Sequence, residues 1–112
     1  MPPTHEDAAL VMQLLAWGTQ LNLEDAVGTL FSPDYDPARA STDDQGVRRV
    51  LEFGEAVGTF VKQGLLDRGL VHDMWWVEGL WARVGPAAKR QRDHLGEPRL
   101  YENFEALAAG GG

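Results

Sequence analysis

Apolar residues recur with the period of an α-helix between Ser41 and Leu65. At about 100° per residue, one face of this segment carries Val47, Val50, Leu51, Gly54, Val57, Gly58, Val61 and Leu65. The apolar arc covers about half of the helix circumference, which is wider than the stripe of a one-sided surface helix. We therefore predict a central helix over residues 42–63 that needs packing partners on two sides.

Two glycines lie one turn apart within that arc, at Gly54 and Gly58. Each costs about 1 kcal/mol relative to alanine inside a helix. Because a helix gains nothing locally from this cost, we expect the backbone of a neighbouring helix to approach closely here. The predicted role of both glycines is structural.

Helical spacing also predicts shorter helices on both sides of the central one. The first helix is expected from Thr4 to Leu21, and the second is expected to be capped by Asn22. The central helix should be capped by Ser41 or Thr42 and end at Gly64. The fourth should be capped by Asp67, the fifth should end at Gly96, and the last should have Pro98 in its first turn. Pro86 removes a backbone donor from the fifth helix, which should kink or restart after Gly85.

No stretch of the chain alternates apolar and polar residues as a half-buried strand does. The predicted fold class is therefore all-α. We expect a compact single-domain bundle of five to six helices over residues 1–109, followed by a disordered glycine tail at 110–112.

The charge of the chain is unevenly distributed. Seventeen acidic and ten basic residues give a formal charge of -7, and residues 1–44 hold eight acids and one base, so that this first part alone carries -7. Nucleic-acid-binding domains are normally basic, because their affinity depends on neutralising phosphates. We therefore expect no nucleic acid partner.

The chain has no cysteine, no signal-like N-terminus and no apolar run near the roughly 20 residues that a membrane helix needs. These features exclude thiol chemistry and disulfides, and they favour a cytoplasmic protein without a membrane partner.

One part of the chain resembles a known family. The segment VKQGLLDRGLVHDMW from Val61 to Trp75, then Trp81, Pro86 and Arg92, and finally LYENFEALA from Leu100 to Ala108 are similar to the bacterial helical family called domain of unknown function 4760. The similarity covers about the C-terminal half of the chain. It implies an all-helical fold and no particular activity.

His72 is the centre of the most plausible polar cluster, with Asp73 beside it and Glu78 about a turn and a half further on. The spacing matches no established catalytic or metal motif. We expect a surface histidine near a helix end, and we keep His72 and Asp73 as speculative ligand-binding residues. No catalytic residue, metal or cofactor is predicted.

Tryptophan is unusually frequent, with four residues in 112, three of them at Trp75, Trp76 and Trp81. Adjacent residues on a helix cannot face the same way, so one of Trp75 and Trp76 is expected to be exposed. These two are speculative ligand-binding residues. Trp81 is expected to belong to the core.

Lys89, Arg90, Arg92 and Arg99 form a local basic cluster. Arg92 lies at the edge of the apolar stripe of its helix, which predicts a buried stem and a carboxylate partner. The last helix offers Glu102 and Glu105, of which we favour Glu105. The expected role of this pair is to hold two helices together.

Two classes of function remain open. The first is a non-enzymatic helical module that self-associates as a homodimer or docks onto another protein, through an apolar surface at Trp76 or at Phe53 and Phe60. The second is a small-molecule-binding protein or enzyme with a Trp-lined pocket near residues 72–92. The absence of a catalytic motif favours the first.

Overall fold

The computed structural model describes residues 2–110, and within them the chain is a bundle of six α-helices without a strand. The helices are α1 (His5–Gln20), α2 (Leu23–Leu30), α3 (Gln45–Lys62), α4 (Arg68–Met74), α5 (Val77–Leu95) and α6 (Glu102–Ala109). The all-α prediction is confirmed. Of the predicted glycine tail, Gly111 and Gly112 lie outside the described residues.

The central helix α3 contacts α2, α5 and α6. Its buried apolar residues form the middle of one core cluster, with Val47 and Leu51 fully enclosed. The helix begins at Gln45, three residues later than predicted, because Asp44 and not Ser41 or Thr42 is the cap. The Asp44 carboxylate accepts the N–H of Gly46 at 2.8 Å, whereas the Ser41 hydroxyl accepts the N–H of Asp43 and forms a turn.

Helix α6 crosses α3 at its two glycines. A Cβ atom at Gly54 would collide with the ring of Phe104, and one at Gly58 would collide with the backbone carbonyl of Asn103. Phe104 is almost completely buried in this contact. The close approach expected from the two glycines is therefore made by α6.

Side chains from other helices cap both ends of α6. At its start, Glu55 of α3 accepts the N–H groups of Asn103 and Phe104, both at 2.9 Å. At its end, Arg68 of α4 donates to the carbonyls of Ala106 at 2.9 Å and Leu107 at 3.0 Å. These bonds satisfy backbone groups that a helix leaves free at its ends.

The predicted start of this last helix at Pro98 was wrong. Residues 98–101 form a turn, in which the N–H of Leu100 donates to the carbonyl of Glu97. Tyr101 then takes a left-handed conformation with φ 59°, and α6 begins one residue later. After this turn, α6 packs on the glycines of α3.

Helix α5 runs through Pro86 without a break, so the predicted restart was wrong. The predicted helix ends at Gly64 and Gly96 were correct, and both glycines are left-handed. Gly64 follows α3 with φ 74° and Gly96 follows α5 with φ 66°.

Two aspartates join the N-terminal ends of α1 and α4. Asp7 accepts the N–H of Thr4 at 2.7 Å, while the Thr4 hydroxyl accepts the N–H of Asp7. The second oxygen of Asp7 accepts the N–H of Asp67 at 3.0 Å, and Asp67 in turn caps α4. Asn22, by contrast, precedes α2 in a left-handed conformation and makes no side-chain cap, contrary to the prediction.

We predict that Gly58→Ala destabilises the protein by about 3 kcal/mol, because the new methyl group meets backbone and α6 must move away from α3. Chemical denaturation followed by far-ultraviolet circular dichroism measures this loss.

Gly28 provides the matched control, since nothing lies within 4 Å of a Cβ atom placed there in α2. Gly28→Ala should raise stability by about 0.5 kcal/mol through helix propensity and reduced unfolded-state entropy. Equal effects of the two substitutions would exclude a close α3–α6 contact at Gly58.

A second prediction concerns the loss of folding stability at acidic pH. The backbone N–H of Thr4 holds the pKa of the Asp7 carboxyl below its usual value, helped by the Thr4 hydroxyl and the N–H of Asp67 and opposed by burial. A carboxyl with a depressed pKa stabilises the fold above its unfolded pKa of about 3.9, and this contribution is lost as pH falls through the folded pKa.

The stability difference between the wild type and Asp7→Asn should therefore be largest near neutral pH and shrink below about pH 4. Urea titrations across this range measure it. Stability profiles that stay parallel down to the lowest pH would contradict the assignment.

Candidate interaction surface

The two adjacent tryptophans at the corner between α4 and α5 face different environments. Trp75 ends α4 in an extended conformation, and its half-buried ring meets Phe53 edge-on at 5.6 Å. Trp76 is 66% exposed. Trp76 is thus the exposed member of the pair, and Phe53, at 6% exposure, is not part of an uncovered surface as one of our alternatives had it.

The exposed Trp76 ring is nevertheless held in place. It covers Gly79, where a Cβ atom would collide with it, and it stacks on Phe31 at 5.7 Å with an interplanar angle of 14°. The guanidinium of Arg83 lies 5.4 Å from the same Phe31 ring. Trp76 and Arg83 are seven residues apart in sequence, which corresponds to about 10 Å along a helix. The Phe31 ring therefore fits between these two side chains.

Arg83 also ties the long connection after α2 to α5. Its Nε donates to the carbonyl of Leu30 at 2.7 Å, and the Tyr35 hydroxyl donates to the carbonyl of Arg83 at 2.6 Å. Burial raises the pKa of the Tyr35 phenol above its usual value, which moves its ionisation still further from neutral pH. The aromatic stack rests on this anchored connection.

A groove of about 350 Å³ lies beside the stack, between α1 and α2. It is lined by Leu14, Leu15, Gly18, Thr19, Asn22, Leu23, Glu24, Val27, Phe53 and Trp75. Glu24 is the one ionisable group among these described lining residues. Leu15 is 38% exposed, and Met12, one turn earlier on α1, is 67% exposed.

The groove and the aromatic stack are adjacent in two places, at the end of α2 and at the corner between α4 and α5. Val27 lines the groove and Phe31 follows it by one turn at the end of α2, while Trp75 lines the groove and Trp76 follows it in the chain. We call this combined area the α1–α2 surface; it comprises Met12, Leu15, Leu23, Val27, Phe31, Trp75 and Trp76.

His72 does not line the groove, and its side chain is buried, contrary to our expectation of a surface histidine. Its side chain is 5% exposed, and its Nδ1 lies 3.1 Å from Glu78. Its Nε2 is buried without a hydrogen-bond partner among residues 2–110. The chain turns at Trp75 and Trp76 and brings Glu78 back to His72, whereas Asp73 remains exposed.

Arg92 binds Glu105 and not Glu102. Its Nη1 lies 2.9 Å from Glu105, its side chain is 12% exposed, and its Nε donates to the carbonyl of Leu100 at 2.6 Å. Glu102 pairs instead with Arg99 at 2.8 Å.

Trp81 lies between the Arg92–Glu105 ion pair and the core. The Arg92 guanidinium is 5.8 Å from the Trp81 ring, and the Trp81 ring meets Phe104 edge-on at 5.1 Å. Lys89 also lies 3.9 Å from Glu105, whereas Arg90 donates to the carbonyls of Pro37 and Ala40. The structure therefore spreads the predicted basic cluster over several contacts.

The interior contains a cavity of about 50 Å³ lined by apolar residues that include Val50, Phe53 and Trp75. Ligand pockets usually measure about 300 Å³ or more, so this cavity does not fit a metabolite. Residues 2–110 also contain no cluster of three or more histidine, aspartate or glutamate side chains placed to bind a metal. No helix in this described range is long and apolar enough to cross a membrane.

The sequence prediction named Trp75 and Trp76 of the α1–α2 surface but no residue of α1. A signal was present in α1, because no charged residue and no histidine occurs from Ala8 to Leu23. A surface helix normally carries charged and polar residues on its outer face, and beyond the first turn of α1 the polar ones are limited to Gln13, Thr19 and Gln20.

The chain belongs to the family described as Domain of unknown function (DUF4760), whose model matches residues 3–110. The match extends over nearly the whole chain and not only the C-terminal half. No curated protein and no solved structure matches the chain.

We predict different costs for removing the two adjacent indole rings. Trp75→Ala should cost about 3 kcal/mol, because it removes a ring packed against the core. Trp76→Ala should cost about 1 kcal/mol, since mainly the stack on Phe31 is lost. Urea denaturation followed by circular dichroism measures both, and equal losses would show that Trp76 is as deeply packed as Trp75.

Proposed function

We propose that this member of the DUF4760 family is a non-enzymatic helical module that forms a homodimer through the α1–α2 surface. The observation that carries the proposal is the concentration of exposed apolar side chains. Seven large apolar residues are exposed between residues 2 and 110, and four of them, Met12, Leu15, Phe31 and Trp76, belong to this surface.

The composition of the surface fits a protein interface. Tryptophan, phenylalanine and methionine are enriched at interfaces, and hot spots are typically rigid aromatic side chains next to a pocket. Trp76 is such a side chain, because Gly79 and Phe31 fix its ring before any partner arrives. Little side-chain entropy is lost when such a ring is buried by a partner.

The distribution of charge supports self-association through this surface over other parts of the chain. Each copy carries -7, so two copies repel each other and need a contact that adds no further like-charge pairs. The α1–α2 surface as defined contains no ionisable residue, and Glu24 is the one ionisable residue among the described residues that line its groove. The surface therefore buries apolar area at a small electrostatic cost.

The proposed location is the cytoplasm of a bacterium, where a reducing environment suits a chain without cysteine.

Binding of a small apolar molecule is the second candidate, because the groove volume of about 350 Å³ lies within the range of ligand pockets. The residues first considered for such a site do not gather there, since His72 pairs with Glu78 and Arg92 with Glu105. Trp75 alone of the candidates lines the groove. A monomer whose groove binds an apolar dye would favour this alternative.

We predict that the protein is a dimer at about 100 μM, a concentration well above the dissociation constant of a modest interface. Raising the salt concentration from about 50 mM to about 500 mM should lower the Kd severalfold, because salt screens the repulsion between like-charged copies. Sedimentation equilibrium measures both quantities. Docking onto a basic partner would show the opposite salt dependence.

Two leucines give a matched pair of variants. Leu15→Glu places a charge within the α1–α2 surface and should weaken association at least tenfold. Leu95→Glu changes a leucine that is 53% exposed outside that surface, and its association should equal that of the wild type. A wild type that remains monomeric at the highest concentration would overturn the proposed function.

A further inference from the structure

We propose that a pocket between the connection after α2 and the C-terminal half of α5 binds a phosphate group, carried as inorganic phosphate or on a small soluble molecule. The pocket, here called the α5 pocket, has a volume of about 310 Å³ and is lined by residues 39–42 and by Ala87, Arg90, Gln91 and His94. None of these residues belongs to the α1–α2 surface, so the proposal does not depend on homodimerisation.

The lining of the α5 pocket differs in charge from the chain as a whole. The chain has seventeen acidic and ten basic residues, whereas the described residues of this lining include two arginines, one histidine and no acidic residue. Ser41, Thr42 and Gln91 add polar side chains that can donate hydrogen bonds. Positive charge together with several hydrogen-bond donors is suited to a phosphate group.

Helix α5 contributes its side of the pocket through one face. Ala87, Arg90, Gln91 and His94 recur with helical spacing, so their side chains lie along the same side of the helix. A guanidinium, an amide and an imidazole therefore share one wall. Ala40 and Ala87 supply apolar area, which can contact the organic part of a phosphorylated molecule.

The Arg90 guanidinium is held in place before a ligand arrives. Its Nη2 donates to the carbonyl of Pro37 at 2.9 Å and to the carbonyl of Ala40. Its Nε and Nη1 make no hydrogen bond to residues 2–110 and retain their N–H groups for a ligand. Because one edge of the guanidinium is already fixed, binding through the remaining donors costs little side-chain entropy.

The connection adds backbone donors to the same pocket. The Ser41 hydroxyl accepts the N–H of Asp43, but the N–H groups of Ser41 and Thr42 themselves donate to no group within residues 2–110. Thr42 is only 8% exposed, and the N–H of a buried residue normally has a partner. An oxygen of a bound phosphate can serve as that partner.

Three aspartates lie close to residues 39–42 in sequence, and each already has a partner. Asp44 caps α3, Asp43 lies 3.9 Å from Arg48, and Asp36 lies 3.9 Å from Arg39. The Arg39 side chain is 90% exposed, and ion pairs in such positions contribute little. A phosphate group can therefore compete with Asp36 for Arg39.

A nuclear magnetic resonance titration of the isotope-labelled full chain tests the proposal. Inorganic phosphate and glycerol 3-phosphate are added in separate experiments at constant ionic strength, because salt screens exposed charges. The amide signals of Ser41, Thr42 and Gln91 should shift and saturate with a Kd of about 1 mM. The ligand with the lower Kd identifies the form of phosphate that the pocket prefers. Saturation confined to other parts of the chain, or none up to about 50 mM of either ligand, would overturn the proposal.

Two glutamines give variants with the same net charge. Gln91→Glu replaces an amide of the pocket wall with a carboxylate of similar size and should raise the Kd at least tenfold, because the carboxylate repels phosphate. Gln13→Glu adds the same charge at an exposed position of α1 outside the pocket, and its Kd should stay within about twofold of the wild type. Equal effects would show that net charge alone governs binding and would overturn the site.

Two exposed arginines give a second matched pair. Arg39→Gln removes a cation of the pocket and should raise the Kd about fivefold. Arg99→Gln removes the same charge from a side chain that is 78% exposed outside the pocket, and its Kd should change less than about twofold. The amide spectrum of each variant shows whether the fold persists. A folded Arg39→Gln variant with the Kd of the wild type would overturn the assignment of phosphate to this pocket.

Discussion

The crossing of α6 over the glycines of α3 is the contact on which the rest of the bundle depends. Gly54 and Gly58 remove the side chains that would hold the two helices apart, and Phe104 and the backbone of Asn103 occupy the space. Glu55, between the two glycines, then reaches the start of α6 and caps it. A short helix of this length is marginal alone, so the crossing supplies both its packing and its cap.

Charged side chains reinforce this crossing by closing helix ends over long distances in sequence. Arg68 of α4 caps the end of α6, and Arg92 of α5 joins the turn before α6 to Glu105. Asp7 likewise connects α1 with the start of α4. Ion pairs on open surfaces contribute little, whereas these groups also satisfy backbone donors and acceptors that would otherwise lack partners.

Periodicity predicted the helices and the close approach at the glycines, because both depend on local spacing. Helix starts were less predictable where several capping residues follow each other, as at Ser41, Thr42 and Asp44, since each has a side-chain oxygen that can accept the first backbone N–H groups of a helix. The burial of His72 was not predictable, because its partner Glu78 lies beyond the turn at the two tryptophans. Arg92 was different: its position on the helix predicted a carboxylate partner, and of the two candidates Glu102 and Glu105 the favoured Glu105 is the one that it binds.

The wide apolar arc of α3 indicated a need for partners that the fold itself meets, since α2, α5 and α6 cover this helix. Part of the uncovered apolar area is on α1, whose inner side packs on the core while Met12 and Leu15 remain outside, and part lies at Phe31 and Trp76. The acidic residues of the first third lie at the starts of α1 and α2 and in the connection to α3. Beyond its first turn, the outer face of α1 is free of charge within the most acidic part of the chain, and a protein contact through such a face adds little like-charge repulsion.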